Sequence, residues 1–506
     1  MQKFIYIDKL SFTYANCIEP LFHSLSFQLQ QGWTGIVGPN GSGKTTLLKI
    51  LCEEIQPDSG SVNFSGICYY CEQRTDFIPP NLESLISSTE KEAFRLKRIL
   101  ELQDEWIMCW DQLSHGERKR CQIATALFCN SGLLAIDEPS NHLDSRSRQI
   151  LFEALMSYNG IGILVSHDRY LLDNLCTHTL FIYKDNIELY KCNYSTAVEE
   201  RERNKKAKLH DYETAKREVK KLKKKISQQR TKADQADKLR SKKLISRKDH
   251  DAKSKKDLAR LSGKDAVAGQ IFKRMRSQLD RTIQQKDSMR VEKSYNLGIG
   301  FNDQKISRYF PIIVAPDSTF LGNGKKLLFP ELCIEQGDKI GIIGDNGSGK
   351  STFIKYLIST LKIPLEYIIY IPQEIPIEQS KIMISRIQNY NNSDKGQLMT
   401  IIRRLGSEPI HVLETTIPSP GEVRKLMLAE GIMKNPAIII MDEPTNHMDL
   451  PSIEFVESAL EESSCAQLLV SHDHNFLNNI VHHYWEFNLN ENIGYKVKVK
   501  SKNYKI

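Results

Sequence analysis

Apolar residues fall along this chain in two rhythms. Short apolar runs at residues 34–37, 133–136 and 162–165 alternate with longer stretches of helical spacing. Runs of that length predict buried strands, and their alternation with helices predicts a mostly parallel α/β sheet. The middle of the chain reads differently. No proline occurs between Pro139 and Pro311 and no glycine between Gly162 and Gly263, while Lys, Arg, Glu, Gln and Ala are abundant. Without either breaker, such a composition predicts long helix. Within it Tyr212, Ala215, Val219, Leu222 and Ile226 keep the alternating three- and four-residue step of a two-helix coiled coil. Beyond a polar interval containing Gly263 and Gly269, the positions Val267, Ile271, Met275, Leu279 and Ile283 recur every fourth residue. The two stripes predict an antiparallel helical hairpin with its turn inside residues 244–270. Its arms of about 40 residues would reach roughly 60 Å at the 1.5 Å rise of an α-helix.

The two flanks repeat each other. Gly38-Pro39-Asn40-Gly41-Ser42-Gly43-Lys44-Thr45 returns as Gly344-Asp345-Asn346-Gly347-Ser348-Gly349-Lys350-Ser351, and Asp137-Glu138-Pro139 returns as Asp442-Glu443-Pro444. Ser166-His167-Asp168 returns as Ser471-His472-Asp473. The offsets from Lys44 to Lys350, Asp137 to Asp442 and His167 to His472 are 306, 305 and 305 residues. Near-constant spacing at three separated points means two copies of one domain. The expected division is residues 1–194 and 299–506 for the copies and 195–298 for the linker, within the two to four domains that 506 residues suggest.

Charge sharpens that division. Between Arg201 and Lys293 there are 32 Lys/Arg against 13 Asp/Glu, +19 in a chain whose total is +8, so the remainder carries −11. A cationic arm of this kind suits salt-sensitive contacts to RNA phosphates. No stretch approaches eighteen apolar residues, so no membrane span is expected. The opening MQKFIYIDKLSF lacks a cationic leader followed by an apolar run, and no secretory signal is read there. Eleven cysteines without framework spacing favour a reducing cytoplasm. Cys68 and Cys71 lack two further zinc ligands at motif spacing, and they read as packed thiols.

Each Gly-x-x-x-x-Gly-Lys-[Ser/Thr] follows an apolar strand and opens a helical pattern. Its glycines let backbone N–H groups turn inward around a triphosphate at a helix N-terminus. Lys44 and Lys350 would reach the β- and γ-phosphates, with Thr45 and Ser351 as Mg²⁺ ligands. Asn40, Thr46, Asn346 and Thr352 belong to the same two loops. Side chains alternate on a strand, so the paired acids do different work. Asp137 and Asp442 would hold Mg²⁺, directly or through water. Glu138 and Glu443 would act as general bases on the attacking water. His167 and His472 sit in Ser-His-Asp, but adjacent side chains cannot form a hydrolase triad. Their duplication favours a γ-phosphate contact.

These residues together resemble the ATP-binding cassette (ABC) ATPases. Leu113-Ser114-His115-Gly116-Glu117 is similar to that family's LSGGQ signature, and its counterpart is Pro418-Ser419-Pro420-Gly421-Glu422. The resemblance implies an α/β fold of two tandem ABC-type P-loop nucleotide-binding domains joined by an α-helical antiparallel coiled-coil linker. It implies two head-to-tail ATP sites. One would pair Lys44, Asp137, Glu138 and His167 with Ser419 and Gly421, and the other Lys350, Asp442, Glu443 and His472 with Ser114 and Gly116. Gln73 and Gln373 match the Q-loop glutamine, and Tyr14 and Phe320 the aromatic that stacks on adenine. His115 and Pro420 depart from the usual glycine, and proline removes a backbone N–H.

Two cassettes in one chain with a basic helical linker resemble the ABC-F class. That resemblance implies a cytoplasmic ATPase, monomeric with an intramolecular domain sandwich. It would bind the E site of the bacterial 70S ribosome in its ATP-closed state, beside rRNA and P-site tRNA, its linker directed toward the peptidyl-transferase centre. Only 41 residues separate Gln73 from Ser114, and 34 follow His472, leaving little room for the extra arm and tail of housekeeping translation factors. A long linker without that arm looks more like the antibiotic-resistance branch, and the segment Gly263-Lys264-Asp265-Ala266-Val267-Ala268-Gly269 and the signature Ser419-Pro420-Gly421-Glu422 look similar to the group that protects against lincosamides, pleuromutilins and streptogramin A. An exporter subunit would leave the arm unexplained. The coiled-coil arms of DNA-associated ABC ATPases are usually far longer or zinc-tipped, and no cysteine lies between Arg201 and Lys293.

Overall fold

The computed structural model describes residues 4–15, 17–141, 143–183, 186–240, 264–288, 307–321, 325–407, 419–490 and 494–501. The chain forms two compact units, Met1–Ala197 together with Tyr295–Ile506, and Val198–Ser294.

In the first half of the larger unit the strands are β1 (Phe4–Phe12), β2 (Phe22–Gln30), β3 (Gly32–Val37), β4 (Ser59–Asn63), β5 (Cys68–Cys71), β6 (Leu133–Asp137), β7 (Ile161–Val165), β8 (His178–Tyr183) and β9 (Asn186–Tyr190). They build an antiparallel sheet in the order β2-β1-β4 and a sheet in the order β5-β6-β7-β3-β8-β9, parallel apart from its last strand. β6 and β7 are buried at every position, as central parallel strands covered on both faces must be.

The second half adds β10 (Ile312–Val314), β11 (Asp317–Phe320), β12 (Lys326–Phe329), β13 (Leu332–Ile334), β14 (Lys339–Gly344), β15 (Ile368–Ile371), β16 (Ile438–Asp442), β17 (Ala466–Val470), β18 (His483–Asn490) and β19 (Gly494–Ser501). Its main sheet runs β11-β12-β19-β18-β14-β17-β16-β15. The segment β15-β16-β17-β14-β18-β19 repeats the strand order of the first half, so the sequence repeat is a structural one. Each sheet packs on a dense apolar cluster, with Ile36, Leu47, Leu133 and Ile163 in the first and Ile342, Phe353, Ile440 and Leu468 in the second.

The described residues of the smaller unit are helical. The helix Tyr194–Arg240, whose first four residues belong to the larger unit, is 47 residues long, about 70 Å at 1.5 Å per residue. Lys264–Ser288 forms the second helix. The heptad stripe is the shielded one: Ala215 and Val219 are buried, and Tyr212, Leu222 and Ile226 are half-buried. On the second helix Thr282 is buried and Met275, Leu279 and Ile283 are half-buried. Lys286, near the end of that helix, interacts electrostatically with Tyr212, in the first half of the longer one, as an antiparallel pair requires. Glu199–Arg203 and Glu213–Arg217 pairs at i, i+4 support the exposed face. The range expected for the turn is narrowed. Residues 264–270, Gly269 included, are already helical, because a single glycine is tolerated inside a strong helix former; residues 244–263 lie outside the described residues.

Candidate active sites

In a parallel sheet the carboxyl ends of the strands meet along one edge, and that edge gathers the chemistry. β3 runs into the first glycine-rich loop, β6 ends on Asp137, β7 ends just before Ser166-His167, and β5 ends just before Gln73. Gly43 closes the loop into the helix Lys44–Leu51 at φ +91°, where a Cβ would lie 2.6 Å from the Phe22 ring. Gly349 does the same before Lys350–Thr360 at φ +94°, against Leu321. Only glycine fits either place.

Lys44 Nζ donates to the carbonyls of Gly38 at 2.9 Å and Pro39 at 3.1 Å, and Lys350 Nζ to those of Gly344 at 2.6 Å and Asp345 at 2.9 Å. Burial lowers the pKa of both lysines, against the opposing pull of Glu138 and Glu443. Thr45 Oγ1 donates to Asp137 Oδ2 at 2.6 Å, and the Tyr70 hydroxyl approaches the same oxygen at 3.3 Å. Burial pushes Asp137 up, while these two hydrogen bonds pull it back. Asp442 is placed alike, with Ser351 as its hydrogen-bond donor.

Glu138 and Glu443 follow in the left-handed region at φ +44° and +49°, tied by N–H bonds to Val165 O and Val470 O. For a side-chain-bearing residue that conformation costs on the order of 1 kcal/mol, so the surrounding strands must impose it. His167 N–H donates to Glu138 Oε2 at 3.2 Å, and its Nε2 lies 3.1 Å from Oε1. His472 N–H donates to Glu443 Oε2 at 3.4 Å, and its Nε2 lies 3.1 Å from Asn346 Oδ1. Burial, with Asp137 beside it, raises Glu138 to about 8. Burial raises Glu443 to about 7, although Lys350 opposes it. Burial and the nearby lysine drive His167 and His472 down to about 3, leaving neutral imidazoles. A carboxylate poised near neutrality beside a neutral imidazole suits general-base work.

Both halves of the chain line each cleft. The Lys44 cleft takes Tyr14, Asn40, Gly41, Gly43, Thr45, Thr46, Gln73, Asp137, Glu138 and His167 from the first half and Ser419, Pro420 and His447 from the second. The Lys350 cleft, about 390 Å³, takes Asn346, Gly347, Ser348, Gly349, Ser351, Thr352, Gln373, Asp442, Glu443 and His472, with Ser140, Leu143 and Arg148 from the first half. Thus Ser419 reaches the opposite loop, whereas Ser114 and Gly116 do not line the other cleft. Ser114 and Ser419 each cap a helix, His115–Phe128 and Pro420–Met433, in a capping box with Glu117 and Glu422. Gly421 is buried behind Ser419, its Cα side turned to the His447 carbonyl. Tyr14 donates to or accepts from Thr46 Oγ1 at 2.7 Å. Phe320 is not among the lining residues; its ring is 68% exposed beneath Lys326, and Leu321 faces the cleft instead.

Several functional groups were not read from the sequence. Asp449 Oδ2 accepts the Asn40 N–H across the halves at 2.7 Å, and Arg148 Nη1 donates to the His472 carbonyl at 3.1 Å. Lys119, fully buried, donates to the carbonyls of Glu72 at 2.7 Å and Gln73 at 3.4 Å, and Arg424 grips those of Gln373 and Asn446 in the other copy. The available signal was the repeat Asn141-His142-Leu143-Asp144 against Asn446-His447-Met448-Asp449, which carries the aspartate at the same offset.

The clefts fit a magnesium nucleotide. Ser42 Oγ and Ser348 Oγ are buried without a hydrogen-bond partner among the described residues, and a Cβ on Gly41 or Gly347 would meet nothing within 4 Å. Thr45 with Asp137, and Ser351 with Asp442, offer the oxygen donors a hard cation takes.

Comparison with known proteins agrees. The ABC transporter family model matches residues 22–141 and again 330–446. Ribosome protection protein VmlR of Bacillus subtilis is 30% identical over 479 residues, 91% of this chain and 82% of VmlR. Erythromycin resistance ATP-binding protein MsrA of Staphylococcus epidermidis is 25% identical, over 92% of this chain and 93% of its own. An archaeal ribosome recycling factor, solved in complex with ribosomal stalk protein aP1, shares the fold with a TM-score of 0.61 at 18% identity, covering 97% of this chain and 89% of its own. Among the described residues no helix is long and apolar enough to cross a membrane. The chain belongs to the ATP-binding cassette family, as an ABC-F-like protein with two ABC ATPase domains.

Proposed function

We propose that this protein is a cytoplasmic ribosome-protection factor. In its ATP-closed state it occupies the E site of the bacterial 70S ribosome, beside rRNA and P-site tRNA. Its linker hairpin reaches toward the peptidyl-transferase centre and dislodges lincosamides, pleuromutilins or streptogramin A, and ATP hydrolysis releases it. The observation that carries this reading is the pairing of two clefts, each lined by both halves, with a linker of charge +19. The similarity to VmlR across 91% of the chain supports the ribosome as partner.

Mg²⁺ would be held by Thr45 and Asp137 in one cleft and Ser351 and Asp442 in the other, and it neutralises phosphate charge when bound. Lys44 and Lys350 exchange their loop carbonyls for phosphate oxygens. Glu138 and Glu443 take the proton of the attacking water. Ser419, on a helix N-terminus, faces the γ-phosphate from the opposite half.

The test is a drug-susceptibility panel in a sensitive bacterial host, run with the wild type and with Glu138→Gln/Glu443→Gln. The double variant is expected to retain ATP, to pellet with 70S ribosomes and to slow turnover by on the order of a hundredfold. Normal turnover with free release would sink the role given to the glutamates. An unchanged drug phenotype in a host carrying the wild-type chain would sink the protection role.

A further inference from the structure

The two clefts differ in what they are tied to. Asp449 caps the helix Leu450–Glu462: its Oδ1 accepts from Ser452 N–H at 2.9 Å while its Oδ2 accepts from Asn40 N–H in the Lys44 loop at 2.7 Å. Burial works against the Asp449 charge, and the hydrogen bonds from Ser452 and Asn40 outweigh it, holding its pKa below the usual range. Further along the same helix, Glu457 takes a bidentate bond from Arg169 at 2.7 and 3.1 Å, buried on both sides. One turn earlier Glu454 Oε1 accepts from the Tyr194 hydroxyl at 2.9 Å. Tyr194, 4% exposed, is the first residue of the helix that continues into the basic linker.

Among the described residues the other copy lacks this chain of contacts. Positions 305 residues before Glu454 and Glu457 hold Gln149 and Phe152 on the helix Ser145–Met156, and both are spent within their own half. Gln149 accepts from the Tyr170 hydroxyl at 2.9 Å, and Phe152 packs edge-on against the Tyr170 ring. The position corresponding to Arg169 is His474.

We infer that the linker reads the nucleotide state of the Lys44 cleft, not of the Lys350 cleft, through the helix Leu450–Glu462 acting as a strut from Asp449 to Glu454 and Glu457. Asn40 lies in the loop that must wrap the phosphates, so its hold on Asp449 depends on what that loop binds. A helix is stiff along its axis, and a displacement at its cap arrives at Glu457 two turns away. There Arg169 and Tyr194 are held by groups whose partners cannot be replaced by water without desolvation cost. These are positioning residues: none touches the reacting atoms. The inference rests on the reading of the Lys44 cleft as an ATP site.

The test measures hydrogen exchange of the peptide containing Tyr194, with and without ATP, beside the binding of a fluorescent ATP analogue. ATP is expected to slow that exchange about tenfold in the wild type and in Lys350→Ala, but not in Lys44→Ala. The single reversals Arg169→Glu and Glu457→Arg should lose the response while binding the analogue within about threefold of wild type. The swapped pair Arg169→Glu/Glu457→Arg should restore it, which a merely structural role would not predict. Tyr194→Phe, which removes one hydroxyl and little else, guards against misfolding and should weaken the response. Protection that follows Lys350 rather than Lys44, or that survives in both single reversals, overturns the inference. Failure of the wild type to bind the analogue would instead remove the nucleotide reading, and the inference with it.

Discussion

Two glycines of the same motif face different neighbours, and this separates the clefts at the residue scale. A Cβ on Gly421 would lie 2.7 Å from the backbone oxygen of His447, which cannot yield, whereas one on Gly116 meets side chains alone, a Leu143 methyl at 3.3 Å and Ser147 Oγ at 3.7 Å. Overpacking against backbone costs about 1–3 kcal/mol. Gly421→Ala is therefore expected to cut steady-state ATP turnover by roughly tenfold, and Gly116→Ala by less than about threefold. Equal losses would count against the geometry given to Pro420 and His447. The glutamates give a pH signature. Glu138 and Glu443 are raised to about 8 and 7, so in the nucleotide-free protein they bind protons more tightly folded than unfolded. That stability is complete below their unfolded pKa and is lost as pH rises through the folded values. His167 and His472, lowered to about 3, work oppositely, but only below their ordinary value of 6.5. Between pH 6.5 and 8 the two histidines no longer oppose the two glutamates. Stability should fall there by on the order of 2 kcal/mol, and Glu138→Gln/Glu443→Gln should flatten the slope of melting temperature against pH.

At the scale of elements, the linker separates packing from charge. Val219 is buried on the heptad stripe, while Lys223 and Lys224 stand exposed on the same helix. Val219→Asp buries a carboxylate without a partner and should lower linker helicity, seen as faster proteolysis within residues 198–294. Lys223→Glu/Lys224→Glu should leave helicity unchanged and reduce the salt dependence of RNA binding by about 0.7 per lost phosphate contact. The stripe was legible because periodicity is local, and the glycine-rich loops, the paired acids and the histidines were legible because each is a short contiguous string. What the sequence could not reveal depends on distant residues meeting. Arg169 and Glu457 are 288 positions apart, and Tyr70 reads as an ordinary strand residue until its hydroxyl is found on Asp137. Phe320 illustrates the converse. Its spacing from Lys350 matched that of Tyr14 from Lys44, but the strand end turns the neighbouring Leu321 into the cleft.

For the molecule as a whole, each cleft draws on two halves of one polypeptide, so their meeting is an intramolecular event at a high effective concentration. ATP turnover per molecule is expected to stay constant on dilution from about micromolar to about nanomolar protein. A fall with dilution would mean that separate copies complete the clefts. The covalent tie has a further consequence. In a symmetric pair of identical chains every substitution strikes twice, once in each copy, and neither pocket can change alone. Here proline stands at one signature and histidine at the other, and where one flank has a buried ion pair the equivalent positions of the other have an aromatic contact. Tandem fusion lets mutation tune one chamber as a timer while its neighbour keeps another task.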